Sequence, residues 1–366
     1  MSKQEQEKYT DKSYPVREGE GLDLDKLGKY LSANLAGFSG ALELEQFPGG
    51  YSNLTYLLRT SDGVHSFVLR RPPFGSKVAS AHDMSREFRI LSALNLVYNK
   101  VPEVLLFCDD QEVLGADFYL MERLEGVILR PKMKEEMIPD EKLMAGISKS
   151  FISAFAELHA VDVKAANLLD FGKPEGYIDR QVAGWSKRYL GSKTDEIPAM
   201  DKVAKWLAEN KPASSGVSLI HNDFKYDTMV LDPSDWTNIT GVLDWEMATL
   251  GDPLMDLGSS LGYWVHPGDP DMLKQFALSP SVLPGNPSRE ELLQQYASVT
   301  GREVGNGVFY YAYGLFKIAV IVQQIYYRYK KGLTSDKRFA NLGFVVQGCA
   351  TSASQAIDKG RLDRLY

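Results

Sequence analysis

The sequence predicts an α+β protein of two lobes, a small β-rich lobe followed by a large, mainly helical one. Short strand-like stretches crowd between Ala41 and Glu122 around a single helical pattern, and beyond Glu122 long helical periods take over. Length agrees, because 366 residues is long for one compact core.

The elements follow in order. Met1 to Glu20 is polar and reads as a mobile arm, without the apolar stretch of a secretory signal. Asp23 caps a short helix with Leu24, Leu27, Leu31 and Leu35 on one face. Ala41–Phe47, Leu54–Arg59 and His65–Arg70 read as strands, with Ser61-Asp62-Gly63 turning between the last two. A helix carrying Glu87, Phe88, Leu91 and Leu94 comes next, and Val104–Cys108 and Phe118–Glu122 complete a five-stranded lobe over 21–123. The chain is expected to cross near Met121–Gly126 into a helical lobe over 124–366. Its helical patterns are Lys142–His159, Asp179–Leu190, Asp201–Asn210, Arg289–Thr300 and Val308–Tyr329. Strand-like material there is confined to Ser218–Ile220, Met229–Leu231 and Ile239–Leu243.

Composition excludes several classes. Apolar residues make up 44% and charged residues 24%, which is ordinary for a globular protein. Forty-one basic against 48 acidic residues give a net charge of −7, which argues against a nucleic-acid partner. Cys108 and Cys349 form no CxxC pair, so neither a disulfide framework nor a structural zinc site is supported, and a cytoplasmic setting is expected. Val308–Tyr329 is apolar over a membrane-spanning length, but Lys317 near its middle, followed by Gln323 and Gln324, would be costly in hydrocarbon. A buried helix with no membrane partner is expected instead.

The chemistry concentrates in His221-Asn222-Asp223-Phe224-Lys225-Tyr226-Asp227-Thr228 and in Asp244, which follows Gly241-Val242-Leu243. Apolar flanks place both carboxylates at the mouths of short strands. Phosphoryl transfer needs such a pair, one Asp taking the proton of the attacking hydroxyl and another holding Mg²⁺ against nucleotide phosphates.

These segments, HNDFKYDT and GVLDWEMATLGDP, resemble the H-G/N-D-x-x-x-D-N and V-L/I-D-W/F-E pattern of aminoglycoside phosphotransferase-like kinases, relatives of choline kinases and protein kinases. The resemblance implies a protein-kinase-like bilobal fold with a five-stranded antiparallel β lobe, and a transferase using ATP, or GTP, with Mg²⁺. It implies Asp223 as catalytic base, Lys225 reaching the transferred phosphoryl group, Asp244 as Mg²⁺ ligand and His221 as a brace of the loop. The family usually has a second metal ligand, Asn, where this chain has Thr228, a shorter and poorer ligand.

The likeness extends upstream. Gly49-Gly50-Tyr51-Ser52-Asn53 lies where the kinase-like fold puts its phosphate-covering loop, although an ordinary hairpin turn would read the same way. Phe67-Val68-Leu69-Arg70 fills the slot of the strand bearing the kinase lysine, with Arg70 in its place and Glu87 as its partner; a surface salt bridge is the plain alternative. Met121 and Glu122 resemble the segment whose backbone holds the adenine edge, and core-strand packing explains their neighbours equally well. His159 reads as a packing histidine, and Asp252 and Asp256 as loop and helix-cap supports.

Leu69-Arg70-Arg71-Pro72-Pro73, Ala81-His82-Asp83-Met84, Gly184-Trp185-Ser186-Lys187-Arg188-Tyr189 and Gly314-Leu315-Phe316-Lys317 with Gln323-Gln324 resemble the kinase-like domains fused to certain acyl-CoA dehydrogenases. That branch implies a hydroxy acid or hydroxyacyl thioester as acceptor, rather than an aminoglycoside. Trp185, Arg188, Tyr189, Lys317 and Gln324 are candidates for the acceptor pocket, against the alternative of helix packing with exposed basic tips. Two readings thus stand: a phosphotransferase acting on a small-molecule hydroxyl, and a kinase-fold protein that binds a nucleotide or acyl-CoA without transfer. Antibiotic resistance by aminoglycoside phosphorylation ranks below both. The chain is expected as a monomer or homodimer.

Overall fold

The structure, a computed structural model, describes residues 9–48, 53–75, 83–275, 277, 279–334 and 336–366. Gly49, Gly50, Tyr51 and Ser52 of the expected phosphate loop, residues 1–8 of the expected arm, and Ala81-His82 lie outside the described residues. The chain divides into two compact units. The first runs up to Ile128 and takes in Lys164–Leu168 and Met229–Glu246; the second holds Leu129–Val163, Leu169–Thr228 and Met247–Tyr366.

The first unit is built on a five-stranded antiparallel sheet in the order β1-β2-β3-β5-β4: β1 Leu42–Gln46, β2 Leu54–Thr60, β3 Ser66–Arg71, β4 Val104–Cys108 and β5 Phe118–Glu122. Helix α1, Leu24–Asn34, starts where the Asp23 carboxylate accepts from the Lys26 N–H, and it buries Leu27 and Leu31. These leucines pack with Leu58, Leu69 and Leu120 from three adjacent strands. Side chains alternate along a strand, so Arg70 and Tyr119, paired across β3 and β5, turn to the opposite face from Leu69 and Leu120. There they meet α2, Met84–Leu94, capped by Asp83 and burying Glu87, Ile90 and Leu91. A short α3, Gln111–Leu114, joins β4 to β5.

Residues 9–20 are anchored, unlike the mobile arm expected for them. Tyr14 exchanges both backbone hydrogen bonds with Gln46, and Glu20 accepts from the Gln46 side chain at 2.6 Å. The cause is the polar Gln46 at the end of β1, buried and needing partners.

The later strands are β6 Ser218–Ile220, β7 Met229–Asp232, β8 Asp235–Val242 and β9 Thr249–Gly251. β7 and β8 form a hairpin of the first unit. Val127 and Leu231 exchange both backbone hydrogen bonds at 2.9 Å, and the Val242 N–H donates to the Lys100 carbonyl at 2.8 Å. Gly126 is required here, because a Cβ would fall 2.4 Å from Val230 and 2.5 Å from the Leu231 carbonyl. The hairpin therefore delivers Asp244 to the sheet that carries Arg70.

In the second unit β6 pairs with β9. Its helices are α4 Glu141–His159, α5 Tyr177–Ser192, α6 Pro198–Glu209, α7 Pro253–Gly262, α8 Asp271–Gln275, α9 Arg289–Thr300, α10 Gly307–Lys330 and α11 Leu342–Lys359. Asp252 opens α7 as expected, accepting from the Leu254 and Met255 N–H groups ahead of Pro253. α10 is the buried helix foreseen in the sequence: long and apolar enough to cross a membrane, yet mostly inside the unit. It lies backbone to backbone on α7, since a Cβ on Gly314 would sit 1.9 Å from the Gly258 carbonyl. α11 escaped the sequence reading, its small residues (Gly343, Gly348, Ala350, Ser352, Ala353) giving a weak apolar period.

Candidate active site

In the first unit one buried cation gathers three carboxylates. Arg70 Nη1 lies 2.9 Å from Glu87 Oε1 and 2.9 Å from Asp244 Oδ1, while Nη2 reaches Glu246 Oε2 at 3.3 Å. The Arg70 and Glu87 side chains are 5% and 2% exposed, so this is a buried pair and not the surface salt bridge of the alternative reading. Burial pushes the Glu87 carboxyl up to about 7 against the pull of Arg70. Asn53, the described end of the expected phosphate loop, donates from Nδ2 to Glu246 Oε2 at 2.8 Å. Glu246 thus ties the loop end to the Arg70 cluster.

Asp244 follows β8 with φ +65, a left-handed conformation that Asp tolerates better than most residues. Its side chain is 46% exposed, in contrast to Glu87. An accessible carboxylate at a strand end suits Mg²⁺, a hard cation that takes one or two carboxylates together with phosphate oxygens.

The second unit carries the HNDFKYDT loop. Asp223 Oδ2 lies 2.5 Å from Lys225 Nζ, and Oδ1 accepts from the Tyr263 hydroxyl at 2.7 Å. Burial and the Asp223 charge hold the Tyr263 hydroxyl well above its ordinary pKa, so it stays a donor. Lys225 also approaches Asp227 at 3.4 Å. The loop is fastened from beneath by Asp256 of α7, fully buried, which accepts from the His221 N–H at 2.6 Å and the Asn222 N–H at 2.7 Å. Burial drives the Asp256 carboxyl up, but the hydrogen bond and charge of His159, the charge of His221 and the His221 N–H bring it below its ordinary value. His159 joins Asp256 at 3.2 Å and Tyr296 at 2.6 Å, a satisfied packing histidine. His221 braces the loop too, its Nδ1 accepting from the Asp223 N–H at 3.3 Å.

Thr228, read as a metal-ligand position, is 1% exposed and caps its own turn. Its hydroxyl donates to the Lys225 carbonyl at 2.9 Å and accepts from the Lys225 N–H at 3.3 Å. Met121 is buried with its backbone in the ladders to Val68 and Val104, and the Glu122 carboxylate accepts from the Glu103 N–H at 2.8 Å.

The five acceptor candidates separate. Arg188 is exposed and lies 4.6 Å over the ring of buried Trp185. Tyr189 is buried, and Gln324 is exposed while its neighbour Gln323 turns inward to the Ser192 carbonyl. Lys317 is no exposed basic tip: it is 2% exposed, its ammonium donating to the Asn222 carbonyl at 2.7 Å and to Ser259 Oγ at 3.1 Å.

Sequence reasoning assigned no role to Glu246, Asn222 or Tyr263, and took Asp256 only for a support. Glu246 and Asn222 sit inside the motifs and could have been weighed. Tyr263 follows α7 among ordinary apolar residues, with no sequence signal for its contact with Asp223.

A five-stranded antiparallel sheet carrying a buried cation and its carboxylate partner, with a helical unit bearing an Asp on a braced loop, defines the protein-kinase-like α+β class of phosphotransferases. Residues 43–292 match the phosphotransferase enzyme family, and the chain belongs to that family. It is 35% identical over 342 residues to mouse acyl-CoA dehydrogenase family member 10, covering 93% of this chain and 31% of that protein. Human acyl-CoA dehydrogenase family member 11 is 34% identical over 341 residues, covering 91% and 43%. The chain thus spans less than half the length of these curated relatives. Among solved structures, a candidate aminoglycoside phosphotransferase from Ralstonia eutropha JMP134 is 30% identical with a TM-score of 0.78, over 93% of this chain and 99% of that one. The choline kinase of Cryptosporidium parvum Iowa II shares the fold at 12% identity, with a TM-score of 0.61 over 92% and 97%.

Proposed function

We propose that the chain transfers a phosphoryl group from ATP, with Mg²⁺, to a hydroxyl of a small hydroxy acid or hydroxyacyl thioester. The carrying observation is Asp223, whose two oxygens are held by Lys225 and Tyr263 on a loop fastened by Asp256. A carboxylate fixed in that way is prepared to orient a hydroxyl and take its proton. The acceptor oxygen forms its bond to the γ-phosphorus, the bond to the β,γ-bridging oxygen breaks, and the electron pair leaves with ADP. The hydroxyl proton goes to Asp223, and Lys225 offsets the negative charge beside it. In the first unit Arg70 and Asn53 would bind donor phosphates, and Asp244 would hold Mg²⁺, which supplies charge neutralisation when bound. Exposed Arg188, stacked on Trp185, would take the acidic end of the acceptor. The names of the relatives, acyl-CoA dehydrogenase family members, support an acyl-type acceptor.

The second reading, a nucleotide or acyl-CoA binder without transfer, is favoured by Thr228, whose hydroxyl is engaged in its own turn. Calorimetry of ATP and GTP with and without Mg²⁺, on wild type and Asp244→Asn, followed by ADP release with a panel of hydroxyacyl-CoA thioesters, tests both. Metal-dependent binding lost in Asp244→Asn, together with turnover, supports the transferase. Binding indifferent to Mg²⁺ and to Asp244, with no turnover even in Thr228→Asn, supports the binder.

A further inference from the structure

An ammonium inside an apolar helix is costly, because it gives up its water unless buried partners replace it. Lys317 incurs that cost at the centre of the second unit, one turn beyond Gly314, where α10 touches α7. Its two hydrogen-bond partners are the Asn222 carbonyl and Ser259 Oγ. The Asn222 carbonyl belongs to the peptide plane whose N–H is that of Asp223, and that N–H donates to His221 Nδ1 at 3.3 Å. Both edges of the plane leading into Asp223 are therefore held, one by Lys317 and one by His221.

Asn222 needs holding. It has φ +66, a left-handed conformation of higher energy than the ordinary regions, although Asn bears it better than most. Every polar group of Asn222 is engaged: its N–H with Asp256, its carbonyl with Lys317, Oδ1 with the Tyr177 hydroxyl at 3.2 Å and Nδ2 with the Met247 carbonyl at 3.0 Å. Of these four partners Lys317 is the cation, and its charge-assisted bond falls on the atom that sets the rotation of the Asn222–Asp223 peptide. The charges around it are Asp223 and Asp256, which attract it, and Lys225 and Arg188, which repel it.

We propose that Lys317 is a positioning residue for Asp223, fixing through the Asn222 carbonyl the peptide plane that aims the carboxylate. The proposal rests on the phosphotransferase reading for its effect on turnover, while its effect on the loop stands apart from that reading.

The test compares the full chain with Lys317→Met, which keeps the apolar stem and removes the donor, and with Gln323→Leu, which removes another buried polar group of the same helix. Hydrogen exchange is followed over residues 219–228, and ADP release from Mg²⁺–ATP is measured with 3-hydroxybutyryl-CoA as acceptor. In Lys317→Met the loop amides should exchange about tenfold faster and kcat should fall about tenfold or more, with KM for ATP nearly unchanged. Gln323→Leu should leave both as in wild type, and Lys317→Arg should recover part of the protection. Loop exchange unchanged in Lys317→Met overturns the proposal, and so does a loosened loop with kcat intact. If wild type turns over neither 3-hydroxybutyryl-CoA nor any member of the hydroxyacyl-CoA and hydroxy-acid panel, the transferase reading falls, and the exchange measurement alone decides whether Lys317 fixes the loop. Should Lys317→Met not fold, Lys317→Gln, whose neutral N–H on a shorter side chain weakens the bond to the Asn222 carbonyl, should show the same two changes at smaller amplitude, and loop exchange and kcat both as in wild type would overturn the proposal.

Discussion

Arg70 donates from Nη1 to the Asp244 carboxylate at 2.9 Å, and the same nitrogen lies 2.9 Å from Glu87. The carboxylate proposed for Mg²⁺ is thus paired with the cation proposed for the phosphates, so metal and nucleotide should bind as a coupled pair. Arg70→Met leaves Glu87 buried without its cation and should lower stability by about 3 kcal/mol. Glu87→Gln in the same chain should return part of that loss, a coupling that thermal melts of the four variants would show. Additive losses would mean that the pair does not act as one.

Asn53→Ala removes the tether from the phosphate-loop end to Glu246. One hydrogen bond to a charged group is worth about 2 kcal/mol. Stability should drop by no more than that, while affinity for Mg²⁺–ATP, measured by calorimetry, should weaken severalfold. Unchanged affinity would remove Asn53 from the nucleotide site.

Asp256→Asn keeps the shape and loses the charge that holds the His221 and Asn222 N–H groups and His159. An amide has one acceptor oxygen where the carboxylate has two, so at least one buried donor is left unpaired, at a cost of about 1–3 kcal/mol. Turnover should fall more steeply than stability, because the loop that loosens carries Asp223. A fall in melting temperature with kcat preserved would count against the brace.

Lys317 supplies a test in pH. Burial brings its ammonium from 10.5 down to about 8, with Asp223 and Asp256 opposing the shift and Lys225 and Arg188 adding to it. Between those two values the unfolded chain keeps the proton that the folded chain has released, so stability rises with pH across that window and is level below it. Against Lys317→Met, whose side chain does not titrate, the wild-type melting temperature should gain steadily from about pH 8 to 10.5. A constant difference over that range would show that the lysine keeps its charge in the folded protein.

Much of this was legible beforehand because it rests on local pattern. Short apolar runs between turn residues, alternating in Ala41–Phe47, marked the five strands, Asp23 and Asp252 announced their helices as caps, and HNDFKYDT with Asp244 located the carboxylates. The membrane-length stretch was correctly read as a core helix because of Lys317. The unread parts lacked a periodic signal: α11 hides in small residues, and Tyr14 joins the sheet through backbone groups that any residue possesses.

The sequence by itself determined most of the elements, the family and the residue types at the site, since caps, apolar patterning and motif order are properties of neighbours along the chain. Tertiary structure alone decided which partners those residues take. It placed Glu246 on Arg70 and Asn53, Tyr263 on Asp223, and the ammonium of Lys317 on the Asn222 carbonyl, 95 residues away in sequence. Contacts at that separation depend on how buried polar groups find one another when helices and strands pack, and a buried charge takes the partner the packing brings to it.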